Sequence, residues 1–114
     1  MKQTGKLDYL EMPSTAGTLD SVKAFYSAAF GWSFTDYGPT YSAFDEGLEG
    51  GFQTDAAEAS PKPLPILYSE DLDLTLEEVE AAGGTIVKPP CAFPGGRRFH
   101  FLDPAGNELA VWGE

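Results

Sequence analysis

Apolar and polar residues alternate through Leu7-Asp8-Tyr9-Leu10-Glu11-Met12, a period near two that predicts a strand stopped by Pro13. After a loop at 14–17, the period changes. Leu19, Val22, Phe25, Tyr26, Ala29 and Phe30 recur at helical spacing behind Thr18, a candidate N-cap, and Gly31 stands where a C-cap glycine would. Strands are then expected at Trp32–Asp36, at Tyr41–Phe44 after the Gly38-Pro39 turn, and at Gly50–Thr54, the last weakened by its glycines.

Residues 55–63 are small, polar and proline-bearing, and read as a linker. The same order then begins again. Leu64–Tyr68 predicts an apolar strand, followed by a loop at Ser69–Asp71 with capping residues. A helix over Leu72–Ala82 has Leu72, Leu76 and Val79 on one face and ends at Gly83-Gly84. A strand at Thr85–Lys88 is stopped by Pro89-Pro90. Another covers Arg97–Leu102, a tight turn covers Asp103–Gly106, and the last strand covers Asn107–Trp112.

The chain therefore reads βαβββ, linker, βαβββ, an internal repeat with a period near half its length. Adding 55 to Tyr9 gives Leu64, each opening a first strand, and adding 55 to Gly51 gives Gly106, each beginning a last strand. Neither half is large enough to bury both faces of its sheet. The expected fold class is α+β: two βαβββ modules, 5–55 and 63–113, in one domain over 1–114. They would form a curved mixed sheet around a cleft, with helices outside, and such a cleft suits a small ligand.

Composition narrows the functions. The 114 residues suit one folding unit, and 42% hydrophobic content suits a packed core. Eighteen acidic against seven basic side chains give a net charge of −11. That field disfavours nucleic acid and anionic membranes and would favour a cationic ligand, but plain solubility is the better explanation, because acidic domains are common without a cationic partner. A single cysteine, Cys91, excludes an intrachain disulfide and a zinc site built from cysteines. With no apolar run near Met1, a cytoplasmic location is expected.

Three segments carry a resemblance to a known family. They are Val22–Trp32, with Phe25-Tyr26 ahead of Gly31-Trp32; Asp71–Gly84; and Phe101–Leu109, with the turn Asp103-Pro104-Ala105-Gly106-Asn107. With the paired βαβββ order, they make the chain similar to the vicinal oxygen chelate family of glyoxalases, bleomycin-resistance proteins and extradiol dioxygenases. The resemblance implies a divalent metal held from the first and last strands of each half. Its ligand positions map onto Tyr9, the end of the Gly51–Asp55 strand, Leu64 and Ala110, where the family often has histidine at the first and third and glutamate at the last. Leucine and alanine donate nothing to a metal, and neutral tyrosine is a poor ligand. No metal and no other cofactor is therefore expected. The resemblance also implies a homodimer.

Alternation places Tyr9 with Glu11, and Glu108 with Ala110 and Trp112, on common faces. Glu11 and Glu108 then read either as rim carboxylates or as parts of a displaced metal site. His100, the only histidine, is separated by alternation from Phe99 and Phe101, and the sequence does not say which set faces the cleft. Cys91 reads as a loop cysteine near Arg97 and Arg98. Gly95-Gly96-Arg97-Arg98 has neither phosphate-loop nor dinucleotide spacing. Strand aromatics would line a pocket for a flat, apolar or cationic ligand. The expected ligand set is Tyr9, Glu11, Phe52, Gln53, Leu64, Tyr68, Glu108, Ala110 and Trp112, with no catalytic residue assigned. Two functions follow: a metal-free binder of a small cationic or aromatic molecule, or a lyase, isomerase or dioxygenase working through a displaced metal or a cleft carboxylate.

Overall fold

A computed structural model describes residues 2–15 and 17–114; Met1 and Ala16, the latter in the expected 14–17 loop, lie outside the described residues. Eight strands and two helices occur among them in the order β1(Leu7–Pro13), α1(Leu19–Phe30), β2(Thr35–Asp36), β3(Tyr41–Asp45), β4(Glu49–Gln53), β5(Leu64–Tyr68), α2(Leu72–Ala81), β6(Thr85–Phe93), β7(Gly96–Leu102) and β8(Glu108–Gly113). The fold class is α+β, and the doubled βαβββ order is present. Contacts group the chain into two compact units, Tyr9–Leu64, and Met1–Asp8 together with Pro65–Glu114.

In the Tyr9–Leu64 unit the strands lie in the order β2-β3-β4-β1. β1 runs parallel to β4, pairing Glu11 with Gly51 and Met12 with Phe52, while β3 is antiparallel to β4, pairing Tyr41 with Gln53. One face packs on α1 through Leu19, Phe44 and Phe52, joined by Met12, Val22, Tyr26, Trp32 and Phe34. The rings interlock: Tyr26 stacks on Trp32 at 4.7 Å, and Trp32 meets Phe44 at 4.8 Å. The expected strand at Trp32–Asp36 shortens to Thr35–Asp36 because Trp32 and Phe34 leave the ladder to fill this core. Gly31 adopts φ 74°, and its N–H satisfies the carbonyl of Ser27 at the helix end. Thr18 precedes α1 but makes no side-chain cap; its hydroxyl donates to the Thr15 carbonyl instead.

The second unit has the order β5-β8-β7-β6. β5 and β8 are parallel, pairing Ile66 with Ala110 and Tyr68 with Trp112; β7 is antiparallel to β8, pairing His100 with Ala110. Its core is Leu72, Phe99 and Val111, with Leu67, Leu76, Val79, Ile86 and Phe101 around them. Asp71 caps α2, its Oδ1 accepting from the Leu74 N–H at 3.1 Å. The segment before β1 belongs to this unit. Gly5 N–H donates to the Tyr68 carbonyl, Tyr68 N–H to the Lys6 carbonyl, and Glu70 N–H to Thr4 Oγ1.

β6 corrects the expectation that Pro89-Pro90 stops a strand at Lys88. The strand continues to Phe93, with register shifts between Ile86 and Lys88 and between Lys88 and Cys91. β6 is the last strand in its order, so the prolines' missing N–H groups cost no ladder bond on the outer side, and the irregularities absorb their geometry. Cys91 consequently lies on a strand, exposed, in register with Arg98. Arg97 points the other way and pairs with Asp73 in the first turn of α2, at 3.4 Å.

Candidate functional site

The helix-packed cores settle which side chains lie on the opposite faces. In the first unit, Met12, Phe44 and Phe52 pack toward α1. Alternation then places Tyr9, Glu11, Tyr41, Gly51 and Gln53 on the other face. Phe52, expected to line the ligand site, is 3% exposed within the helix-side core. It also floors an open apolar groove of about 470 Å³ beside α1, with Met12, Val22, Phe25 and Pro63.

Tyr9 and Tyr41 share a hydrogen bond between their hydroxyls, with Tyr41 lying across Gly51. A Cβ at position 51 would collide with the Tyr41 ring, so this close approach requires glycine. Burial raises the Tyr9 phenol above its ordinary value; the Tyr41 hydrogen bond opposes this, and the charges of Glu11 and Glu49 add to it. Tyr9 is thus a neutral phenol with a committed hydroxyl. Glu11 is buried beside it, 6% exposed. Gln53 spends its Oε1 on the Asp55 N–H at 3.0 Å. Leu64, at the start of β5, is fully buried.

In the second unit, Phe99, Phe101 and Val111 face α2. Tyr68, Arg98, His100, Glu108, Ala110 and Trp112 therefore share the face away from the helix. This resolves the side of β7 on which the histidine lies. His100 is 3% exposed, and its Nδ1 lies 2.8 Å from Glu108 Oε2. The imidazole is held below its ordinary pKa, first by burial and further by the positive charges of Arg98 and Lys88, with Glu108 opposing. A neutral ring donating from Nδ1 to the carboxylate leaves a lone pair on Nε2. That atom is buried and has no hydrogen-bond partner among the described residues. Leaving such an acceptor unmet costs about 1–3 kcal/mol. Nothing in the pattern of RFHF distinguished this arrangement in advance, because alternation gave two faces and no sign of which was helix-packed.

Trp112 is the centre of a second cluster. Its Nε1–H donates to Asp8 Oδ2 at 2.8 Å, and Lys2 Nζ donates to Asp8 Oδ1 at 2.7 Å. Lys2 Nζ also lies 5.5 Å from the centre of the Trp112 ring, within cation–π range. Tyr68 meets Trp112 edge-on at 5.2 Å, and Phe93 does so at 6.3 Å. The sequence reading included Tyr68 and Trp112 but not Asp8, Lys2 or Phe93, because no periodicity links position 2 or 8 with position 112.

The donors at the mapped metal positions do not fit a metal. Leu64 and Ala110 have none, the Tyr9 hydroxyl is bonded to Tyr41, and the Gln53 oxygen is bonded to backbone. Among the described residues, no group of three or more His, Cys, Asp or Glu side chains is placed to hold one.

The comparisons with known proteins agree with the fold. The model of the Glyoxalase/Bleomycin resistance protein/Dioxygenase superfamily matches residues 6–111, and the chain belongs to that superfamily. It is 32% identical over 106 residues to an uncharacterized protein of Mycolicibacterium smegmatis, covering 87% of this chain and 86% of the relative. Its fold is similar to a solved NAD-dependent benzaldehyde dehydrogenase from Legionella pneumophila, with TM-score 0.74, 14% identity, and 92% and 96% of the two chains covered. It is also similar to the Mn(II)-bound glyoxalase from Novosphingobium aromaticivorans, with TM-score 0.66, 20% identity, and 99% of this chain but 40% of that one covered. Among the described residues, no helix is long and apolar enough to cross a membrane.

Proposed function

We propose that this chain is a metal-independent small-molecule-binding protein of the glyoxalase and bleomycin-resistance kind. The observation that carries the reading is the donor chemistry at the mapped ligand positions: Leu64 and Ala110 offer no donor atom, and the Tyr9 hydroxyl is engaged by Tyr41. What the helix-free faces offer instead is aromatic surface at Tyr68 and Trp112, buried polar groups at Glu11 and His100, and the part-exposed carboxylate of Glu108. With a net charge of −11, these features favour a cationic or aromatic ligand. A cytoplasmic homodimer acting as one domain over 1–114 completes the reading, supported by the family membership and the single cysteine.

The test is metal analysis of dialysed protein, followed by thermal denaturation against a library of cationic aromatic compounds. The expected result is no stoichiometric divalent ion, and a rise in Tm with one compound class, because a ligand that binds only the native state stabilises it. A tightly held divalent ion would defeat the reading.

The unmet Nε2 of His100 favours a second reading, a metal-free isomerase or lyase in which the Glu108–His100 pair removes a proton from substrate. Here the imidazole, rather than a lone carboxylate, is the base. Loss of turnover in His100→Gln with ligand affinity retained would support it.

A further inference from the structure

We propose that Asp8 and Trp112 form a recognition site for an organic ammonium group, and that Lys2 occupies it as an internal stand-in. This rests on the small-molecule-binding reading above and names the ligand class and the competitor at one part of that surface.

The receptor half of the site has bonds and ring contacts of its own besides those to its occupant. The indole N–H of Trp112 fixes Asp8 Oδ2 at 2.8 Å, which turns Oδ1 toward the ammonium, 2.7 Å away. The same indole presents its ring 5.5 Å from the nitrogen. Trp112 is in turn braced by the edges of Tyr68 and Phe93. Carboxylate and ring therefore converge on one cationic centre, the combination by which aromatic sites recognise ammonium groups.

Exposure separates the two partners. The Asp8 side chain is 16% exposed and the Lys2 side chain 39%. The acceptor is sheltered and held by a second bond, whereas its occupant is the more exposed of the two. An ion pair with one half-solvated member is weak and exchangeable. A ligand carrying a primary or methylated ammonium on an apolar body would displace Lys2, place its charge between Asp8 Oδ1 and the indole, and rest its apolar part on Tyr68 and Phe93. The acidic surface raises the local concentration of such cations.

The experiment uses choline as the probe and its uncharged isostere 3,3-dimethylbutan-1-ol as the control, at fixed ionic strength. Binding is read from the Trp112 indole N–H resonance. Lys2→Met removes the competitor without touching the receptor and is expected to bind choline roughly fivefold more tightly than the unsubstituted chain. The isostere should shift nothing. Asp8→Asn in the Lys2→Met background keeps an acceptor for the indole and should abolish the gain; the amide spectrum of each variant confirms that it is folded. Equal choline affinity with and without Lys2, or equal response to the isostere, overturns the proposal. A library compound that stabilises the protein equally with and without Lys2→Met defeats this site while leaving the binding function standing. No stabilising compound at all defeats the broader reading.

Discussion

His100 carries a pH dependence whose sign follows from its surroundings. Its folded pKa lies below the ordinary value near 6.5, because burial and the nearby Arg98 and Lys88 outweigh Glu108. As pH falls through about 6.5, the unfolded chain takes up a proton that the folded chain resists, so stability declines until the lower folded value is passed. Urea midpoints measured between neutral and mildly acidic pH should fall for the unsubstituted protein and fall less steeply for His100→Gln. Equal slopes would contradict the assignment. Gly51 offers a steric counterpart. Gly51→Ala drives a methyl into the Tyr41 ring and separates its hydroxyl from Tyr9, at a cost of about 1–3 kcal/mol in urea unfolding. Glycine at this position was legible only as a weak strand former, since the residue that needs the space lies ten positions earlier on a neighbouring strand.

The two helices start differently, and substitution should separate them. Asp71 accepts from the Leu74 N–H, so Asp71→Ala should lose about 1 kcal/mol. Thr18 occupies the equivalent position of α1 without capping, so the helix-capping part of that loss should be absent from Thr18→Ala, as paired thermal melts would reveal. Sequence pattern identified both helices and placed their ends within a residue or so, because each has an apolar stripe and a terminating glycine nearby. It failed where tertiary packing overrides local period. Trp32 and Phe34 alternate like strand residues yet serve the α1-side core, and the prolines of β6 read as a stop until the strand's outermost position explains them. The pattern grouped Tyr9 with Glu11, and Glu108 with Ala110 and Trp112, because side chains two apart on a strand share a face. The Asp8–Trp112 and Tyr9–Tyr41 pairs join residues distant in sequence and were invisible to it.

For the molecule as a whole, the doubled order of elements was readable from one sequence because both halves use the same punctuation of strand, helix, glycine and turn. Folding adds what the pattern could not: residues 2–8 go with the second half, since backbone bonds tie Gly5 and Lys6 to Tyr68. The charge of −11 belongs to this scale too. Adding sodium chloride to a low-salt buffer should raise Tm by screening self-repulsion, whereas a fall would mean that attractive pairs such as Lys23–Asp36 at 2.8 Å dominate.

Pro89 and Pro90 have a further effect at the outer margin of the second unit. A strand with a free side can recruit a foreign strand through its vacant amide donors, the first step toward fibrils or unintended chain exchange. Here proline interrupts the row of donors and the pairing slips before and across the two prolines, so an incoming peptide finds no continuous ladder to extend. The feature that concealed β6 in the sequence thus also shields a crowded solution of this protein from sticking to itself.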